Sequence, residues 1–155
     1  MSVTRQARTR LVSRWSDLID GIDAAADAVV DDWSEPTEDG RGRPATDDPT
    51  AIVEPLERRL DDAGVTDDLP AALADAVDAA GYGLSATPVP APPYVTVTSR
   101  GPVLRATLED DRLVVTCHVF EVIREKITAA DAAGSTVLYA RIPDPLRETM
   151  TVDLR

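Results

Sequence analysis

Val103-Leu104-Arg105-Ala106-Thr107-Leu108-Glu109-Asp110-Asp111-Arg112-Leu113-Val114-Val115-Thr116-Cys117-His118 reads as two strands folded back on a tight turn. Apolar and polar side chains alternate on both sides of Asp110-Asp111, the period of a half-buried strand. If those two aspartates are the whole loop, Leu108 faces Leu113, Ala106 faces Val115 and Leu104 faces Cys117. All six are apolar and share one face. The other face pairs Glu109 with Arg112, Thr107 with Val114, Arg105 with Thr116 and Val103 with His118. An ion pair beside the turn and apolar pairs along one side agree on the register. It places Cys117 inside and His118 on the polar face.

Outward from this hairpin, Tyr94–Ser99 makes a preceding strand joined through a Gly101-Pro102 turn, and the strand begun at Arg112 is expected to reach at least Val122. Thr136–Ile142 and Met150–Leu154 add two more, with Met150, Val152 and Leu154 as the inward set of the last. Between them, Ile123–Ser135 has two readings: a continuation of the third strand to Ile127, or a short helical turn over Ala129–Ala133.

Upstream the period changes. Ala86–Pro93 is half proline and reads as an extended connector. Before it, apolar residues Val3, Ala7, Leu11, Trp15, Leu18, Ile22, Ala25, Val29 and Trp33 recur every three or four positions, predicting one long helix. About 30 helical residues span roughly 45 Å. Residues 34–49 lack periodicity and read as a mobile loop. A second helix is expected over Thr50–Ala63, its regular part delayed to Glu54 by Pro55, with Gly64 as its cap. The third is expected after Asp67 or Asp68 and ends at Gly81. The sum is an α+β domain over 1–155: a helical half (1–81), a proline-rich connector (82–93) and a β half (94–155) forming an antiparallel meander of four to five strands, with the long helix and the two shorter ones packed on it.

Composition bounds the setting. The chain has 155 residues, twenty aspartates, eight glutamates, fifteen arginines and one lysine, Lys126, for a net charge of -12. Residues 1–16 carry +4, residues 17–80 carry -15 and residues 81–155 carry -1. Short carboxylates hold water and cations, and charge repulsion fades in concentrated salt. This suits a salt-rich cytoplasm. No apolar run is long enough for a membrane span, and the single cysteine cannot form an internal disulfide.

The run Pro92-Pro93-Tyr94-Val95-Thr96-Val97-Thr98-Ser99-Arg100-Gly101-Pro102-Val103-Leu104-Arg105-Ala106-Thr107-Leu108, in an acidic and lysine-poor chain, resembles a family of short uncharacterised haloarchaeal proteins, most clearly over 92–122. The resemblance implies an archaeal cytoplasm and carries no activity, cofactor or site residue with it.

No residue pattern names a reaction. His118 is the only histidine, which removes two-histidine metal sites and histidine relays. Cys117 and His118 point to opposite faces of a regular strand and cannot form a dyad there. The aspartate pairs lack the alternating ligand spacing of a calcium loop, and no phosphate-binding glycine motif is present. No metal or other cofactor is expected. Arg5, Arg8, Arg10 and Arg14 sit where the helix dipole disfavours them. Pairing with Asp61, Asp62, Asp75 or Asp78 on the next two helices is the preferred explanation, since a net charge of -12 argues against nucleic acid. Two function classes stand, with a DNA-associated regulator acting through the arginine-rich N-terminus as a third and weaker reading. The first is a non-catalytic binding or adaptor domain, forming a homodimer or meeting a protein partner through Val3, Ala7, Leu11 and Trp15 of helix one. The second is a small-molecule binder or enzyme using the polar sheet face, with Arg100, Arg105, Thr116 and His118 as its convergent groups.

Overall fold

A computed structural model describes residues 2–33, 37–127 and 134–155. The amphipathic N-terminal stripe forms two helices, α1 (Val3–Arg14) and α2 (Ser16–Asp31), not one. Trp15 alone leaves helical geometry, at φ -119° and ψ 28°, while its N–H still donates to the Leu11 carbonyl at 2.9 Å. A break of one residue leaves the spacing of apolar positions intact, so the period could not reveal it. It also divides the expected 45 Å rod into helices of 12 and 16 residues, lengths that neighbours within the chain can cover.

Residues 37–46, read as a loop, form a small hairpin of β1 (Thr37–Glu38) and β2 (Pro44–Thr46). The buried Asp39 carboxylate organises its turn, accepting the N–H of Arg41 at 2.9 Å, the N–H of Arg43 at 2.8 Å and the Arg43 Nε–H at 2.6 Å. Burial alone would raise the Asp39 carboxyl, yet the Arg43 and Arg41 donors hold it below its ordinary value.

Helix α3 (Thr50–Asp62) is helical from Thr50 and runs through Pro55 instead of starting at Glu54. Helix α4 (Val65–Ala79) begins two residues before the expected aspartate cap, directly after Gly64 at φ +75°. It closes as a Schellman motif: the Gly81 N–H donates to Asp78 and the Tyr82 N–H to Val77.

The strands form two four-stranded antiparallel sheets rather than one meander, the second drawing β1 and β2 from the helical half. One holds β3 (Val95–Thr98), β4 (Gly101–Thr107), β5 (Arg112–Thr116) and β8 (Thr151–Leu154) in that order. The other holds β1, β2, β7 (Gly134–Arg141) and β6 (Phe120–Ile127), with a short helix α5 (Leu146–Thr149) before β8. The expected strand from Arg112 to Val122 thus ends at Thr116, and β6 is a separate strand that does reach Ile127. The alternative helical turn at 129–133 falls outside the described residues. Three amides of the crossing find carbonyl partners: Cys117 N–H donates to Pro102, and Val119 and Phe120 N–H both donate to Arg100. Gly101, at φ +135°, makes this approach feasible, since a Cβ there would lie 2.0 Å from the Cys117 carbonyl oxygen.

The hairpin register also differs from expectation. Val103 faces Thr116, Leu104 faces Val115, Arg105 faces Val114, Ala106 faces Leu113 and Thr107 faces Arg112. The loop is four residues, Leu108–Asp111, closed by the Leu108 N–H donating to Asp111 at 2.8 Å. Pairing has moved by two positions, an even number, so each side chain keeps its expected face and only its opposite neighbour changes. Leu104, Ala106, Leu113, Val115 and Cys117 are all buried.

These residues join the main core with Ala7, Leu11, Ile22, Val29, Leu56, Leu73 and Phe120. Helix α1 lies on α4 and β8, α2 on α3 and α5, and α4 on β4. The inner face of the β3–β4–β5–β8 sheet therefore receives helices, and among the described residues none of these helices covers its outer face.

Candidate functional site

The outer face is built by strand alternation. One row across it runs Thr96, Val103, Thr116, Thr151, and the next runs Arg105, Val114, Asp153. Arg155 follows one step further, its backbone paired both ways with Arg112. Opposite residues on adjacent strands lie about 5 Å apart, so a ligand resting here meets several side chains together. Thr98 ends β3, Arg100 comes from the β3–β4 turn, and His118 from the first residues past β5.

All of these but Thr96 and Arg112 line one basin of about 360 Å³, walled by Arg100, Arg105, Thr116, His118, Thr151 and Arg155 among others. All four side chains nominated from the sequence are in it. Thr116 does not oppose Arg105 and His118 does not oppose Val103, but the shared face holds them together. Thr151, Asp153 and Arg155 were not nominated. Their signal was present as the outward complement of Met150, Val152 and Leu154, but which strand they would join was not.

Electrostatically the basin is an exception in an acidic chain. Three guanidinium groups line it against one carboxylate, Asp153. Arg155 Nη2 is 3.8 Å from Asp153 Oδ2, while Arg100 and Arg105 make no salt bridge among the described residues. The His118 Nε2 lies 3.1 Å from Thr151 Oγ1, and the His118 carbonyl accepts the Thr149 hydroxyl at 2.8 Å. Burial pushes the imidazole below its ordinary value, and the nearby Arg100 charge adds to this, with Asp153 opposing. His118 is therefore a neutral imidazole at pH 7, a donor or acceptor and not a fixed cation.

Cys117 points the other way, into the core, where burial pushes its thiol up to about 12. A thiol held protonated is no nucleophile. The basin thus offers guanidinium forks, hydroxyls and one imidazole, a set suited to holding an anion. Among the described residues, no group of three or more His, Cys, Asp or Glu side chains is placed to hold a metal ion.

On helix one, Ala7 and Leu11 are buried within the chain, against α4 and β8, so they are core residues and not surface ones. Val3 and Trp15 are half-buried. Two of the four arginines pair internally: Arg10 with Asp75 at 2.8 Å and Asp78 at 3.7 Å, and Arg14 with Asp75 at 3.9 Å. Asp61 and Asp62 take no part. Arg8 donates instead to the backbone carbonyls of Met150 and Arg147.

The profile of a domain of unknown function, DUF7988, matches residues 5–155. The chain belongs to that family. Its match spans both the helices and the two sheets, so the sheet with the basin is part of the family's own fold. No curated protein and no solved structure matches the chain.

Proposed function

We propose that this member of the DUF7988 family is a non-catalytic binding domain of a salt-rich haloarchaeal cytoplasm, and that it recognises an anionic small molecule on the outer face of the β3–β4–β5–β8 sheet. The observation that carries the reading is the convergence of Arg100, Arg105, Arg155, Thr116, Thr151 and His118 on one basin in a chain of net charge -12. Arginine forks bind carboxylate or phosphate oxygens in pairs. What supports recognition over catalysis is that the basin gathers mostly guanidinium and hydroxyl donors, while the thiol of Cys117 points into the core. Among the described residues, no helix is long and apolar enough to cross a membrane.

NMR titration in high salt tests this. Acetate or inorganic phosphate should shift the amides of Arg100, Arg105, Thr116 and Thr151 and the ring of His118. Arg105→Ala should weaken the response about tenfold, the worth of a charged hydrogen bond. Binding should also tighten as pH falls through the depressed His118 value, because protonation adds a cation to the basin, and a bound anion should in return raise that value. No shift at these residues, or equal shifts in the variant, overturns the reading.

A protein contact at the α1–α2 break is the second reading. What favours it is the half-buried Trp15, which with Leu18 and Gly21 lines a cavity of about 400 Å³ at the α1–α2 break. In light scattering, Leu18→Asp should lower the molar mass if a second copy docks there. A wild-type protein that is monomeric at all concentrations removes the homodimer.

A further inference from the structure

We infer that the anion recognised on the sheet face carries an apolar body, which makes the ligand class a short-chain or aryl monocarboxylate; this rests on the anion-binding reading above. Arg105 lines two cavities, not one. Beyond the cationic basin lies a second space of about 350 Å³, formed where the segment after α4 passes over the end of β4. Its walls include Leu84, Pro93, Tyr94, Thr107 and Leu108. Tyr94 is tied directly to the Arg105 backbone, whose N–H donates to the Tyr94 carbonyl at 2.9 Å. Arg105 thus borders both an arginine-rich space and one whose walls combine Leu84, Pro93, Tyr94 and Leu108 with the polar Ser85, Thr107 and Glu109.

The charge pattern sets the polarity of the ligand. Glu109 stands at the second cavity and would repel a second anionic group there. A ligand filling both spaces therefore bears its charge at one end only. Each space alone is near the lower end of about 300–1,000 Å³ typical of small-molecule sites, and a body crossing Arg105 would use both. The solvent argues the same way. In concentrated salt, charge attraction is screened within about 3 Å and chloride competes for guanidinium groups. Apolar contact survives salt, and chloride has none to offer.

The test compares acetate, hexanoate and 1-hexanol by NMR titration of the full chain in about 2 M KCl, where chloride competes equally with both carboxylates. A fully buried methylene is worth about fourfold in affinity, so hexanoate should bind at least about tenfold tighter than acetate even when half covered. It should shift the amides of Leu84 and Thr107 together with those of Arg100 and Thr116. Thr107→Trp, at an exposed position that fills the second cavity, should bring hexanoate down to acetate while leaving acetate unchanged. Ser85→Trp serves the same purpose if the strand does not tolerate the first variant. Hexanoate binding no tighter than acetate overturns the inference and leaves the anion site standing. Silence of the basin toward both carboxylates overturns both. Hexanol binding as tightly as hexanoate overturns the inference as well, since Arg105 would then contribute nothing to holding the ligand.

Discussion

The Trp33 indole N–H donates to the Ala51 carbonyl at 3.0 Å, and that is the carbonyl Pro55 leaves without an amide donor. Four residues on, an ordinary residue would supply an N–H in the α-helical ladder; proline cannot. The side chain from the end of α2 closes the gap, and its ring also packs against Phe120 with centroids 6.0 Å apart. Helix α3 therefore passes through Pro55 because a partner distant in sequence mends the missing bond.

This predicts a specific coupling. Trp33→Phe keeps an aromatic ring and removes the donor, and should destabilise the protein by about 1 kcal/mol beyond its packing cost. In a Pro55→Ala background the new amide takes the carbonyl, and that increment should vanish. A double-mutant cycle in denaturant measures it. Zero coupling would mean that water already satisfies Ala51.

Asp75 should govern acid stability at the α1–α4 contact. Burial alone would raise its carboxyl, but the Trp15 indole N–H at 3.0 Å and the Arg10 guanidinium at 2.8 Å hold it below its ordinary value. A carboxyl depressed in the folded state stabilises above its unfolded value of about 3.9, and that stabilisation is lost as pH falls through the folded value. Asp75→Asn should flatten this part of the acid-unfolding curve and cost about 1–3 kcal/mol at pH 7. An unchanged curve would place the acid sensitivity elsewhere, Asp39 being the next group held low.

Cys117 should resist thiol reagents. It is 2 % exposed with its thiol pushed up to about 12, so both access and thiolate are scarce at pH 8. Labelling in the native state should follow global unfolding, rising with denaturant as the circular dichroism signal falls. Native labelling at the rate of an unfolded control would contradict the inward face of β5.

Folding should depend on salt. Residues 17–80 carry nineteen acids and four arginines, and α2, α3 and α4 bring most of them close together. At about 0.1 M salt, like charges act over about 10 Å, and at about 1 M over about 3 Å. Helix content by circular dichroism should rise between these conditions. A full helical signal at the lower one would show that pairs such as Arg10–Asp75 and Arg59–Asp32 suffice.

The class of the longer elements and the faces of the β4–β5 hairpin were legible because both depend on local period alone, whereas the short β1, β2 and α5 carry too few residues to show one. Arg105 and Thr116 point outward and Leu104 and Cys117 inward whatever the strands pair with, and a register moved by two could not change that. The stripe of Val3 to Trp33 was likewise real as periodicity. What the tertiary structure alone decided lies between elements. It broke the first helix at Trp15, whose indole meets Asp75 sixty residues away. It turned the chain from one sheet to the other at 117–119 and drew residues 37–46 into the second sheet. It also set β8 beside β5, which added Thr151, Asp153 and Arg155 to the basin. Side-chain direction along a strand costs nothing to specify locally, whereas the neighbour of a strand is chosen by the burial of a whole face and the satisfaction of every backbone group, and that sum is taken only over the folded chain.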